Sequence, residues 1–151
     1  MMMSLLTGFD GRINRAKWWL GTLILIVVAI VLYLILGSII GSPGLLQFIL
    51  SLILAYPTTA LMVKRLHDRD RPGFFTYIFW APTVLSVLGG LLGLTMTTVD
   101  MGGVAMPQMT TLGTIIALAG LPIGIWALIE LGILKGTEGP NQHGPDPLGG
   151  M

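Results

Sequence analysis

The sequence predicts an all-α membrane protein with four transmembrane helices, and three observations carry that reading. Apolar residues make up 54% of the 151 residues and charged residues 10%, against about 25% charged in an ordinary soluble domain. Three runs, 18–63, 72–99 and 101–129, contain no Asp, Glu, Lys, Arg or His. At about 20 apolar residues per crossing they hold one helical hairpin and two single crossings. None of the runs alternates polar and apolar residues as barrel strands do. Backbone groups in hydrocarbon must bond within their own segment, so the runs are helices.

The length suits a single domain over 1–151. The first helix is expected over about 18–40. Asn14 is its candidate N-cap, a side-chain oxygen placed for a free amide of the first turn, and Trp18 and Trp19 sit where an interfacial aromatic belt would lie. The apolar run is long and no small-x-small cleavage site follows it, so this helix reads as retained and not as a cleaved signal. Gly41-Ser-Pro-Gly44 is a tight turn into a second helix over about 45–63. Residues 64–73 then form a dense charged loop. A third helix is expected over about 74–94 and a fourth over about 112–134, before a Gly/Pro-rich tail over 135–151.

Orientation follows from the basic residues. All eight Lys and Arg (12, 15, 17, 64, 65, 69, 71 and 135) fall on one side of this arrangement, and the segments 41–44 and 95–111 hold none. The positive-inside rule then places both termini in the cytoplasm. Six acids accompany the bases there (Asp10, Asp68, Asp70, Glu130, Glu138 and Asp146). The small basic surplus suits ion pairing and anionic headgroups of a phospholipid bilayer and excludes a nucleic-acid patch. With no cysteine there is no disulfide, thiolate metal site or thiol nucleophile, and no cofactor is expected.

Three segments carry a family resemblance: Phe9-Asp-Gly-Arg-Ile-Asn-Arg-Ala-Lys-Trp-Trp19, Arg65-Leu-His-Asp68 followed by Pro72-Gly73 and aromatics, and Gly136-Thr-Glu-Gly-Pro-Asn-Gln-His-Gly-Pro-Asp-Pro147. Together they resemble the small bacterial inner-membrane proteins catalogued as domain of unknown function 805. The resemblance implies an inner-membrane location and brings no activity or catalytic residues. His143 departs from it where the family tail usually has an aromatic, and Pro72 where the loop usually has a small polar residue.

The three segments share one membrane face, so they are expected to fold into a cytoplasmic cap. Its candidate residues are Arg12, Asn14, Arg15, Trp18, Trp19, Arg65, His67, Asp68, Arg69, Asp70, Asn141 and Asp146. Charge-assisted hydrogen bonds from Arg12, Arg15, Arg65 or Arg69 to Asp68, Asp70, Asp146 or Glu138 would hold it together; the bland alternative is a solvated loop and tail. His67 beside Asp68 reads as a structural His paired with a carboxylate, since two His and no Cys fall short of a zinc site. Glu130, the one acid within an apolar stretch, lies about 6–8 Å of helix rise from Lys135; pairing with a cap arginine outweighs a transport role. Prolines 57, 82 and 122 read as ordinary bends. The Gly89–Gly93 and Gly120–Gly124 pairs allow close approach within the chain or between copies. Met96, Met101, Met106 and Met109 read as filler of an apolar outer loop and not as soft metal ligands.

The expected function is a non-enzymatic accessory or scaffolding subunit, its cap meeting lipid headgroups, another membrane protein or a second copy. The rivals are a small oligomeric transporter or channel using Glu130, and a membrane-surface enzyme using His67, Asp68 and Asp70. No nucleophile motif or phosphate-binding loop accompanies the enzyme reading.

Overall fold

The computed structural model describes residues 2–149. The chain runs through α1 (Met2–Leu6), α2 (Arg15–Gly37), α3 (Pro43–Asp68) and α4 (Phe75–Leu91). A hairpin of β1 (Met96–Asp100) and β2 (Ala105–Met109) follows, then α5 (Thr111–Leu128), which continues as a π-helical turn over Ile129–Ile133. Three helices are long and apolar enough to cross a membrane: α2, α3 and the continuous Thr111–Ile133 segment; α4 is a shorter apolar helix.

Neighbouring helices pack antiparallel. A Cβ on Gly44, at the start of α3, would overlap the Gly90 carbonyl near the end of α4. A Cβ on Gly120 would touch Pro82, so α5 lies close along α4. Small residues let backbones meet where no hydrophobic effect drives helices together. Here they serve packing within the chain. The large apolar side chains of α2 mostly face outward, with Leu23, Ile30 and Leu34 more than half exposed, as suits helices solvated by lipid. The buried apolar cluster sits toward the charged end, where Leu61 and Leu66 of α3 and Leu131 of the π turn meet Trp18 and Phe79.

Four boundaries differ from the sequence reading. Residues 64–68 are helical and not part of a loop: α3 runs to Asp68 and closes where the Arg69 and Arg71 amides donate to the Leu66 carbonyl. Charge ends an apolar run without ending a helix, and Lys and Arg are good helix formers. The third helix stops at Leu91 instead of about 94, because Gly93 takes a φ of +70° and the amides of 92–95 turn back onto the carbonyls of Leu88, Gly89 and Gly90. The outer loop is a β-hairpin, with Met96 opposite Met109 and Asp100 opposite Ala105. Its turn uses Gly102 and Gly103, both at positive φ, the conformation for which glycine carries no steric cost. The N-terminal segment contains α1, which the hydropathy pattern does not mark.

A candidate functional site at the charged end

The site is built around the end of α3. Asp68 is buried and held by two guanidinium groups. Arg12 donates from Nε and Nη2 to its Oδ1 at 3.2 and 3.1 Å, and Arg65 Nη1 donates to its Oδ2. Buried carboxylates are tolerated only when paired and fully bonded, and this one is. Arg65 follows from helix geometry, since residues three apart share a face. Arg12 arrives from the segment before α2, where Ile13 is buried and its amide donates to the Lys64 carbonyl.

The tail closes over this pair. Arg12 also donates to the carbonyls of Thr137 and Gly139 at 2.7 and 2.8 Å. Thr137 returns its amide to the Asp68 carbonyl at 2.8 Å, and Asn141 Nδ2 donates to the His67 carbonyl at 2.9 Å. Gly136 lies so close to Asp68 that any Cβ would overlap the carboxylate. Asp146 folds the tail on itself, accepting the amides of Leu148 at 2.9 Å and Gly139 at 3.0 Å. The Leu148 amide, then that of Gly139, holds its carboxyl below the usual carboxylate range.

A second set of bonds joins cations to backbone carbonyls. The end of the π turn exposes carbonyls with no helical partner, as every helix C-terminus does. Five in a row are answered from α2 and the α3 end: Leu131 and Leu134 by Arg65, Gly132 by the Trp19 indole at 3.1 Å, Ile133 by Arg15 at 3.4 Å, and Lys135 by Arg69. Lys64 does the same for α1, its ammonium meeting the carbonyls of Ser4, Leu5 and Thr7. A cation at a helix C-terminus also meets the negative end of the helix dipole.

The structure brings most of the predicted residues together, with changed partners. Arg12, Arg65 and Asp68 form the expected kind of pair. Arg69 turns instead to Glu130, 3.2 Å away, which Arg71 also approaches at 3.5 Å; the acid is buried within the cap's ion pairs. Asn14 caps α2 by accepting the Lys17 amide at 2.9 Å. Trp18 is buried and, with Trp19, packs on Gly132. Asp70 stands exposed at a φ of 54°, and among the described residues it, Arg15 and Asp146 join no ion pair. Among the described residues His67 makes no hydrogen bond or ion pair with a carboxylate: Nδ1 meets the Gly11 carbonyl at 3.2 Å and the ring stacks on His143 at 3.9 Å. His143 thus supplies the flat ring that an aromatic would. Lys64 and Thr137 were missed as site residues: Lys64 meets backbone carbonyls, which have no signature in sequence, and Thr137, one hydroxyl in a polar tail, is placed only by the folding of that tail onto Arg12 and Asp68. No group of three or more His, Cys, Asp or Glu able to hold a metal occurs among the described residues.

Between the tail and the start of α2 lies a cavity of about 330 Å³, lined by Asn14, Arg15, Lys135, Glu138 and Asp146 among others. Arg15 and Lys135 are exposed at the ends of α2 and of the π turn.

No solved structure matches the chain. It is 30% identical over 146 residues to the uncharacterized protein YiiR of Escherichia coli, across 93% of this chain and 86% of YiiR. Inner membrane proteins YhaI and YhaH of the same organism are 35% and 33% identical over 80 and 81 residues, each across 51% of this chain. Those alignments span 65% and 67% of the two relatives' lengths. The family model described as Protein of unknown function (DUF805) matches residues 6–145, a stretch containing Arg12, Asp68 and Thr137. The chain belongs to this family.

Proposed function

We propose that the chain is a four-span inner-membrane protein with both ends cytoplasmic, acting without catalysis as an accessory or scaffolding subunit whose cap meets lipid headgroups. One observation carries this reading. The buried charged groups Lys64, Arg65, Asp68 and Glu130 are engaged in holding the chain together, while Arg15, Lys17 and Lys135 are exposed at the same end and join no ion pair among the described residues. Each such cation near an anionic bilayer is worth about 1 kcal/mol. Trp19, 46% exposed, lies beside them at the level where aromatic belts meet headgroups. The rival enzyme reading rests on His67, Asp68 and Asp70, and Asp68 and His67 both have structural partners.

The orientation rests on the eight bases gathered at one end. The crossing number rests on α4, which at 17 residues spans about 26 Å, within reach of a hydrocarbon core of about 30 Å with modest local thinning.

The test uses the full chain extracted in mild detergent and examined by native mass spectrometry. Anionic phospholipid should be retained, and replacing Arg15, Lys17 and Lys135 together by Gln should release it while the melting temperature holds. Retention unaffected by the triple replacement would overturn the lipid role, and an exported reporter fused after residue 151 would overturn the orientation.

A further inference from the structure

The cavity between the tail and the start of α2 has walls of both signs. Arg15 and Lys135 bring cations from the ends of two helices, and Glu138, Asp146 and Asp68 bring carboxylates. Not all of these are open to a ligand. Both Asp68 oxygens accept from Arg12 and Arg65, and both Asp146 oxygens accept backbone amides. Glu138 accepts no hydrogen bond among the described residues. Among the described residues Arg15 uses one of its five donors, at 3.4 Å, and Lys135 engages only through its backbone carbonyl.

A simple anion entering this space would meet the carboxylates, and a simple cation would meet Arg15 and Lys135. A group carrying a phosphate and a primary amine satisfies both walls. We propose that this cavity seats the headgroup of a phosphoethanolamine lipid, its phosphate against Arg15 and Lys135 and its ammonium against Glu138. The volume, about 330 Å³, falls within the usual range of small-molecule pockets. Among the described residues no aromatic side chain lines the cavity, so they offer no cation–π cage of the kind a quaternary choline would use. A primary ammonium has three donors to offer a carboxylate, and choline has none. Leu148, 52% exposed, also lines it and gives the glycerol end of a lipid an apolar contact.

This inference rests on the headgroup-binding reading above, and the test separates the two. The full chain would be placed in nanodiscs of equal parts phosphatidylethanolamine, phosphatidylcholine and phosphatidylglycerol, and the lipids retained on gentle extraction weighed by native mass spectrometry. Phosphatidylethanolamine should be retained about tenfold over phosphatidylcholine, the worth of one charge-assisted hydrogen bond. Glu138→Gln should erase that ratio without lowering phosphatidylglycerol, and Arg15→Gln with Lys135→Gln should lower all three. An equal ratio in the unaltered chain, or a ratio untouched by Glu138→Gln, overturns this proposal alone. Loss of every phospholipid class from the unaltered chain overturns the broader reading as well. Displacement of the lipid by soluble glycerophosphoethanolamine at matched concentration would overturn the lipid as occupant.

Discussion

The two ends of the bundle solve the same problem by different means. Each must close helix termini. At the hairpin end, closure is local: the Ser42 and Thr110 hydroxyls accept the first amides of α3 and α5, and the carbonyls finishing α2 and α4 accept amides from the following turns. Buried Thr95 completes that end, its hydroxyl donating to the Ser86 carbonyl and its own carbonyl accepting the Thr110 amide. At the charged end, α2 and α3 also close locally, through Asn14 and the Leu66 carbonyl, but the ends of α1 and of the π turn are closed from far away in sequence. Carbonyls 131–135 and those of α1 are answered by side chains about 60 to 120 residues away. Short-range caps shape one hairpin at a time, whereas long cations lock segments together. The charged end therefore depends on its buried cations, Arg65 and Lys64, far more than the hairpin end depends on any one cap.

Removing Arg65 is the strongest way to break that contrast. Arg65→Met keeps the apolar stem and strips partners from Asp68, Leu131 and Leu134. Breaking a buried ion pair from one side costs about 3–5 kcal/mol, so the variant should unfold in detergent well below the temperature of the unaltered chain. Gly136→Ala comes next. Its methyl overlaps the Asp68 carboxylate, and overpacking of this kind costs about 1–3 kcal/mol. Limited proteolysis should cut the tail first, leaving the helices intact. Thr95→Val probes the opposite end, where loss of one neutral hydrogen bond should cost about 1 kcal/mol and leave the tail protected. A cost at Thr95 equal to that at Arg65 would erase the distinction between the ends.

The smallest effect concerns acid. The amides of Leu148 and Gly139 hold the Asp146 carboxyl below its ordinary value, so its support of the tail turn is complete above about pH 4. That support disappears as the pH falls through the lower folded value. Protection of the Gly139 and Leu148 amides against exchange, relative to their intrinsic rates, should fall over that interval, and in Asp146→Asn it should be low already at neutral pH.

Much of this architecture is legible in the residues. Charge-free runs mark the apolar helices, because hydrocarbon excludes ions whatever the fold. The meeting of three polar segments follows from their shared end, and Asn14 carries a recognisable capping signal. The partners of the cations are less legible. Sequence invites pairing Arg with Asp or Glu, yet Arg65, Arg69 and Lys64 are drawn largely to carbonyls, which every residue has and none advertises. Residues 64–68 look like a loop because their charges interrupt an apolar pattern that the helix itself does not need. The hairpin had a readable signal: Gly102-Gly103 between stretches containing Thr97, Thr98 and Val99 on one side and paired residues on the other, the kind of turn that joins two strands.

The π turn has a consequence for how this chain tolerates change in length. Its defining bond, from the Leu134 amide to the Ile129 carbonyl at 3.0 Å, accommodates one residue more than a regular turn would. Deleting any single position within 129–133 would let the helix wind regularly, an improvement by propensity alone. The Leu134 amide and the Ile129 carbonyl would then be an ordinary i→i+4 pair, so the segment beyond them, Gly136 included, would keep its place. Loss of the exposed Ile133, which leaves buried Glu130 and Leu131 in the turn, should therefore be better tolerated than loss of a residue from the regular turns of α5.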